Sequence, residues 1–581
     1  MKRKKEKDKE LYFVKGTFRK FFLPSIFSSL WIALGGVADC FFVGNGIGSE
    51  GLAAVSFGMP VYLFYNILSY GMSIGGSIHF SSSVAKGEEK EGVRIFNSVF
   101  KCLLVLYVTT VALAMIFLPQ FIRLLGADPA NETVRTYIRT QLIFIPVMFS
   151  QGPFYYFVHN DNNPGLAALS LSLSNVVDIV LNYILVVRLQ IGVQGSVYAT
   201  VAGACLMLTL TGSHIIRRKG VLRFTGGGID LGIAWKAMKT GLATSIQYFY
   251  QFITMIVVNR MLMNMSGITG VAAFDVIYNI STLFLAVTEA VSMTLEPMLS
   301  SYRSERNIGN IRNTLKISFR HSIGLGLLFI LLIGGATEQL VVWFGLSGMP
   351  ELGYGVAGIR IYMASVLLMI VNTTFGYYYQ SIEVERISYL ITTLRTFVCY
   401  LAAVFWCGRF GINGFWWHFL VAEALTLLIW AGYVAWKKDW LQLKSIDTSQ
   451  VKAIFINSSD TDIGRIIEEV EVFCQQKKLG GKNAYYISLV IEEICCAIME
   501  QFKESMDEIY IQLTVVIEGE GCSLYLRDNA LAFNPFDMDT NSLDLKQAHN
   551  VESLGMKIVK QKAKEFFYRR YVGFNALVVK L

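Results

Sequence analysis

Charge is scarce in this sequence: Asp, Glu, Lys and Arg make up 16% of 581 residues, where an ordinary soluble protein carries about 25%. The scarcity is uneven. Residues 11–436 are apolar with few charges, and residues 437–581 have the composition of a soluble domain. A single aqueous fold is therefore excluded, and two environments, a bilayer and water, are implied. None of the nine cysteines stands in a Cys-x-x-Cys pair or a Cys/His cluster of zinc spacing, which excludes the common structural zinc sites. Cys40, Cys102, Cys205, Cys399 and Cys407 fall in apolar runs as packing residues, and the adjacent Cys495 and Cys496 cannot share one helix face. Free thiols are expected. The Gly-x-x-x-x-Gly-Lys loop of a nucleotide-driven pump is missing. The net charge of +8 would suit nucleic acid, but the basic residues sit in short loops between apolar runs, as they do in membrane proteins. No nucleic-acid partner is expected.

What is present is a series of long apolar runs, in a chain 54% hydrophobic with mean hydropathy +0.47. A spanning helix needs about 20 such residues. Runs lie near 18–43, 52–80, 94–118, 136–158, 164–187 and 191–215, and again near 238–263, 270–299, 314–336, 356–381, 387–408 and 412–435. The spacing predicts an α-helical polytopic membrane protein with twelve spans in two six-helix repeats. The sixth run opens Ile191-Gly-Val-Gln-Gly195 and the twelfth is preceded by Phe410-Gly-Ile-Asn-Gly414. The first is followed by Gly51-Leu-Ala-Ala-Val55 and the seventh by Gly270-Val-Ala-Ala-Phe274. Repeated bundles of this kind place a substrate site near the midplane between the halves.

Loop charges orient the chain. Lys2, Arg3, Lys4 and Lys5, then Lys86, Lys90 and Arg94, Arg217, Arg218, Lys219 and Arg223, Arg303, Arg306 and Arg312, and Lys437 and Lys438 all fall on one side. By the positive-inside rule both termini are cytoplasmic, in a multi-pass protein of the cell membrane. The charged start MKRKKEKDKE leads into a first span containing Pro24 and Asp39, with no cleavage signal. The expected division is a tail at 1–16, an N-lobe at 17–218, a C-lobe at 219–436, a linker at 437–450 and a soluble domain at 451–581.

An ionised group in hydrocarbon costs about 2.5–3.5 kcal/mol on insertion scales, so it faces a cavity or a partner. Asp39 and Asp178 stand out on this ground. Asn175, Asp178 and Asn182 share one face of the fifth span, and Thr200 lies in the sixth. Together they offer a cage for a hard cation, or a pair of protonatable sites; taken singly, an Asn or Thr group bonds a neighbouring helix just as readily. Asp275, Glu289, Glu296 and Glu423 are further acids in or near spans. Phe154, Tyr155 and Tyr156 are candidates to line a cavity for flat cations. His79 and His418 have no second ligand in the pattern and read as packing or gating residues.

Several of these segments resemble the multidrug and toxic-compound extrusion (MATE) family. Pro24, then Val37-Ala-Asp39-Cys-Phe-Phe-Val-Gly44 and Leu52-Ala-Ala-Val55, is similar to its first span. Asn175-Val-Val-Asp178-Ile-Val-Leu-Asn182-Tyr183, then Gly192, Gly195 and Ala199-Thr200, resembles its fifth and sixth, and Glu296-Pro297 with Ser300 the end of its eighth. The resemblance covers residues 15–436. It implies a sodium or proton site at Asp39, Asp178, Asn182 and Thr200, with no other metal, and a bend of the first helix at Pro24. One departure stands: the acid that the family places at position 182 lies one turn earlier, at Asp178.

After residue 451 the pattern changes. Val451–Asn457 alternates as a strand, Asp460–Leu479 reads as a helix capped by Asp460, and Asn483–Lys503 as a second helix. Glu508–Glu518 and Ser523–Arg527 read as a hairpin, Ser553–Phe566 as a helix and Tyr568–Leu581 as a strand pair. This is an α+β sandwich. It resembles the GHKL ATPase-like domain of anti-sigma-factor kinases, through Leu489-Val-Ile-Glu492-Glu493-Ile, Arg527-Asp528-Asn-Ala-Leu-Ala-Phe533-Asn-Pro535-Phe536 and Ser553-Leu-Gly555-Met-Lys-Ile-Val559. The resemblance implies nucleotide contacts at Glu493, Asp528 and Gly555. The expected magnesium ligand is replaced by Ala497 and a glycine by Ala530, so a regulatory domain with degenerate ATP binding, or none, is expected rather than an active kinase.

The expected function is secondary export of small organic, cationic or amphiphilic compounds by sodium or proton antiport. No cofactor is required for the bundle, which is no enzyme. A cytoplasmic regulatory protein is the expected partner of the tail. The alternatives are a lipid-linked flippase of the same superfamily and a membrane-anchored anti-sigma-type kinase.

Overall fold

Lipid offers no hydrogen-bond partner, so an apolar run that crosses it must satisfy its backbone internally, as a helix. The computed structural model describes residues 2–581 apart from 86–87, 162, 349, 445, 459–462, 478, 503–507, 520, 538–549 and 572–573. The helices are α1 (Lys2–Ile47), α2 (Ser49–Ala85), α3 (Glu89–Ile116), α4 (Leu118–Leu125), α5 (Glu132–Asn160), α6 (Pro164–Asn182), α7 (Val193–Ile216) and α8 (Leu231–Ser304). They continue with α9 (Ile308–Gly335), α10 (Thr337–Trp343), α11 (Glu351–Ser381), α12 (Glu385–Thr393), α13 (Cys399–Gly408), α14 (Gly411–Phe415) and α15 (His418–Trp436). A π-helical segment, Tyr183–Arg188, extends α6, and another, Leu394–Val398, joins α12 to α13.

Among the described residues, ten helices are long and apolar enough to cross a membrane, against the twelve expected. The seventh and eighth runs form the single 74-residue α8. Its only internal break is Gly267, where φ is +64°, a conformation that glycine adopts without a Cβ clash. The fourth run is α5, outside the ten, because Arg135, Arg139 and Gln141 dilute its hydropathy; it packs against α2, α3 and α7. α1 continues as a helix through Pro24, whose side chain is exposed.

The tightest crossing joins α2 to α8. A Cβ on Gly75 would lie 1.9 Å from the Ala237 carbonyl oxygen, and one on Gly241 1.9 Å from that of Gly71. Only glycine permits two backbones this close, as at small-residue helix contacts in membranes. A second apolar core gathers Phe18, Phe22, Tyr302, Tyr378, Tyr379 and Trp430 with Leu443 and Ile446 of the linker. The Tyr378 and Tyr379 hydroxyls donate to the carbonyls of Leu441 and Trp440 at 2.9 and 2.6 Å, anchoring the linker to α11.

The C-terminal domain is a five-stranded antiparallel sheet with helices α16 (Ile463–Gln476), α17 (Gly481–Phe502) and α18 (Asn550–Lys562). Its strands are β1 (Val451–Asn457), β2 (Tyr510–Glu518), β3 (Gly521–Asp528), β4 (Glu565–Tyr571) and β5 (Phe574–Lys580), in spatial order β1-β2-β3-β5-β4. Residues 565–566 are strand, where the sequence reads as the end of a helix. The proposed cap Asp460 lies outside the described residues. One face of the sheet, with Leu513, Val515, Leu524, Leu526 and Val579, packs on the helices.

The other face rests on the membrane bundle. Phe574 and Ala576 meet Phe13 of α1, and Phe21 lies 5.8 Å from Phe574 between ring centres. Arg527 pairs with Glu305 just past the end of α8, both side chains at most 5% exposed. Its guanidinium lies 4.1 Å over the Tyr302 ring, and the Tyr302 hydroxyl donates to Gln512 at 3.1 Å. Burial raises the Glu305 carboxyl above its usual range, and Arg527 pulls it back.

Candidate ion site and lobe cavities

Asn163 starts α6 by accepting from the Leu166 amide at 3.2 Å, with Pro164 in the first turn, where proline's missing N–H is no loss. The helix then carries Asp178 and Asn182 on one face toward α1 and α7. The Asn182 amide donates to Asp39 of α1 and, at 3.3 Å, to Asp178. Thr200 of α7 donates to the same Asp178 oxygen at 3.2 Å. Four of the sequence candidates, Asp39, Asp178, Asn182 and Thr200, are thus one hydrogen-bonded cluster shared by three helices. Asn175 makes no bond to it. Asn182 is fully buried, and its carbonyl oxygen has no partner among the described residues. Two carboxylates, a hydroxyl and an unpaired amide oxygen are hard donors of the kind that suit a sodium ion, or hold a proton between the two acids.

The other acids divide. Asp275 of α8 is fully buried, with Oδ1 unpartnered among the described residues and the Asn279 amide 3.4 Å from Oδ2. Glu289 and Glu296 are exposed. Glu423 is buried in a network that the sequence reading misses. Arg395 Nε donates to Glu423 Oε1 at 2.7 Å, Asn372 Nδ2 to Oε2 at 2.7 Å, and Trp430 Nε1 to Asn372 Oδ1 at 2.7 Å. An arginine inside the run 387–408 is the signal that could find it.

Among the aromatic candidates, Phe154 is core: it packs with Phe96, Phe100 and Phe224. Tyr155 and Tyr156 join a tyrosine cluster between α5, α2 and α8, in which Tyr70 meets Tyr156 and stacks on Tyr248 at 5.0 Å. His79 bonds Thr240 at 2.9 Å, and the buried His418 bonds the Phe415 carbonyl at 2.7 Å and the Tyr400 hydroxyl at 3.2 Å.

In the C-terminal domain, α17 and α18 bring Glu493 against Gly555 so closely that a Cβ there would lie 1.9 Å from a Glu493 oxygen. Asp528 Oδ1 accepts from Asn575 Nδ2 at 2.7 Å and the Ala530 amide at 3.0 Å. Burial pushes its carboxyl up to about 6 against these bonds. Ala497 lies one turn after Glu493 and offers no oxygen to a metal ion.

Residues 24–184 match the MatE family model. The chain is 23% identical over 293 residues to the FAD transporter of Shewanella oneidensis, covering 48% of this chain and 63% of that protein. It is 20% identical over 439 residues to the multidrug export protein MepA of Staphylococcus saprophyticus, covering 73% and 95%. An inward-facing multidrug resistance MATE transporter of the MOP superfamily superposes with a TM-score of 0.65 at 19% identity, covering 72% of this chain and 96% of that one. The membrane part of this chain therefore has the fold of the MATE transporters, and its stretch 24–184 matches that family's model.

Proposed function

We propose that the protein is a secondary active exporter of small organic compounds, cationic or amphiphilic, working by alternating access on a sodium or proton gradient. The observation that carries this is the cluster of Asp39 and Asp178 joined through Asn182, with an unpartnered acceptor, inside an apolar bundle. Two carboxylates so close in a dry site favour taking up a cation. The tyrosine cluster supplies flat, electron-rich faces for a cationic cargo. In this reading the bundle crosses the cell membrane twelve times, because Gly267 breaks α8 in two and α5 crosses within the bundle. The basic loops put both termini in the cytoplasm.

Ethidium efflux from vesicles under an imposed sodium or proton gradient tests the proposal. Efflux should follow one gradient and stop when it is collapsed; efflux indifferent to both would overturn it.

The C-terminal domain is regulatory in this proposal, which its seat on α1 and α8 supports. The full-length protein in lipid nanodiscs should bind ATP weakly, with little change on adding magnesium, because Ala497 cannot hold the metal. Calorimetry reads this directly. Tight magnesium-dependent binding or phosphate release would put the kinase reading first.

A further inference from the structure

A cavity of about 160 Å³ lies mostly within the second half of the bundle, bounded by α8, α11, the π-helical segment Leu394–Val398, α13 and α15, with Leu63 of α2 closing one side. A cavity of roughly 150 Å³ is enough to take a benzene ring. Phe274, Tyr278, Tyr362, Tyr400 and Phe419 line it. Phe274 and Phe419 run parallel at 6.5 Å, and Tyr362 meets Phe419 edge-on at 5.2 Å. These walls suit a single flat ring.

One wall is charged. Arg395 and Glu423 both line the cavity. Glu423 has both oxygens committed, one to Arg395 Nε and one to Asn372. Arg395 is held through Nε alone, and neither Nη has a protein acceptor among the described residues. A guanidinium carries five N–H donors in a planar fork. Fixed at Nε, it presents the Nη pair as a ready two-point site for a carboxylate. Glu289 also lies within electrostatic reach of Arg395, and it does not line the cavity. Arg395 also stands in the π-helical segment Leu394–Val398, a distortion often found at functional sites.

We propose that this cavity binds one aromatic ring bearing a carboxylate, the ring between the phenylalanine and tyrosine walls and the acid on the Arg395 Nη pair. The assignment deepens the transport reading by naming the acid-bearing end of an amphiphilic cargo. Its test needs no gradient, so failure of export and failure of binding are read separately.

The probes are 2-aminobenzoate and its neutral amide, 2-aminobenzamide, both fluorescent, titrated against the full-length protein in nanodiscs. The acid should bind about tenfold or more tighter than the amide, the margin of one charge-assisted fork. Arg395→Gln should erase that margin, and Arg395→Lys should keep only part of it. Because Arg395→Gln also strips Glu423 of its partner, Ser365→Leu serves as a second variant. It fills the cavity and leaves the ion pair in place, and it should lose binding of the acid. Equal binding of the two probes, a margin that survives Arg395→Gln, or unchanged binding to Ser365→Leu would each overturn the proposal.

Discussion

Asp178→Asn should reduce gradient-driven efflux to background while the protein still inserts and purifies as a stable species. Asp178 accepts from both Asn182 and Thr200, and it is one of the two charges that make the cluster a cation site. The asparagine keeps the shape and one acceptor but loses the charge. Insertion should not suffer, because removing a carboxylate from a span relieves a cost of about 2.5–3.5 kcal/mol. Asp39→Asn should behave alike, since Asn182 ties Asp39 into the same cluster. Thr200→Ala is the graded control. It removes one hydrogen bond to a carboxylate, worth about 1.5–3 kcal/mol, and leaves both charges in place, so efflux should fall by about tenfold or more and remain measurable. Vesicle efflux beside size-exclusion profiles gives the answer. Full efflux by either asparagine variant at normal expression would remove the ion-site assignment.

Arg527→Ala should release the C-terminal domain from the bundle. Removing one partner of a buried ion pair costs about 3–5 kcal/mol, because the other charge stays buried alone. The stacking on Tyr302 goes as well. A loss of about 3 kcal/mol shifts a docked-to-undocked equilibrium by roughly a hundredfold. Proteolysis of the linker at 437–450 and amide exchange in β2 should both accelerate. Arg527→Leu combined with Glu305→Leu should recover most of the protection, since apolar side chains can replace a buried pair at little cost. If Arg527→Ala is cut no faster than the parent protein, the pair does not hold the domain in place.

The sequence reveals Asp39 and Asp178 because a charge in hydrocarbon has so few explanations. Asn182 and Thr200 follow from helical spacing to those acids. Asn175 shares the face and stays outside the cluster, since a shared face does not tell how far the neighbouring helix extends. The count of spans exceeds the ten that length and hydropathy support because periodicity cannot see Gly267 as a break within one helix, and because α5 keeps its arginines and glutamine in the bundle. Arg395 escapes notice beside its flanking polar residues, Thr392, Thr393 and Thr396. The seating of the tail is hidden for a different reason. Gln512, Thr514 and Arg527 alternate with apolar residues, which is the pattern of a sheet with one wet face. Here that polar face is buried, and its side chains bond Tyr302, Glu305 and Ser301. Alternation reports polarity, and only the fold reports what covers it.

The two π-helical segments have a consequence for movement. Tyr183–Arg188 begins at the residue after Asn182, and Leu394–Val398 contains Arg395. They fall in the fifth and eleventh apolar runs, the first at the end of its helix and the second in the middle of its helix. A π turn stores a surplus residue within an otherwise regular helix. Moving that surplus by one step rotates the side chains it passes by about 100° while the helix ends stay seated against their neighbours. Each polar site therefore sits beside its own source of slack. Asp178 of the first half and Arg395 of the second are the groups on those two helices, so a shift of the surplus turns them while Asp39, on α1, stays fixed.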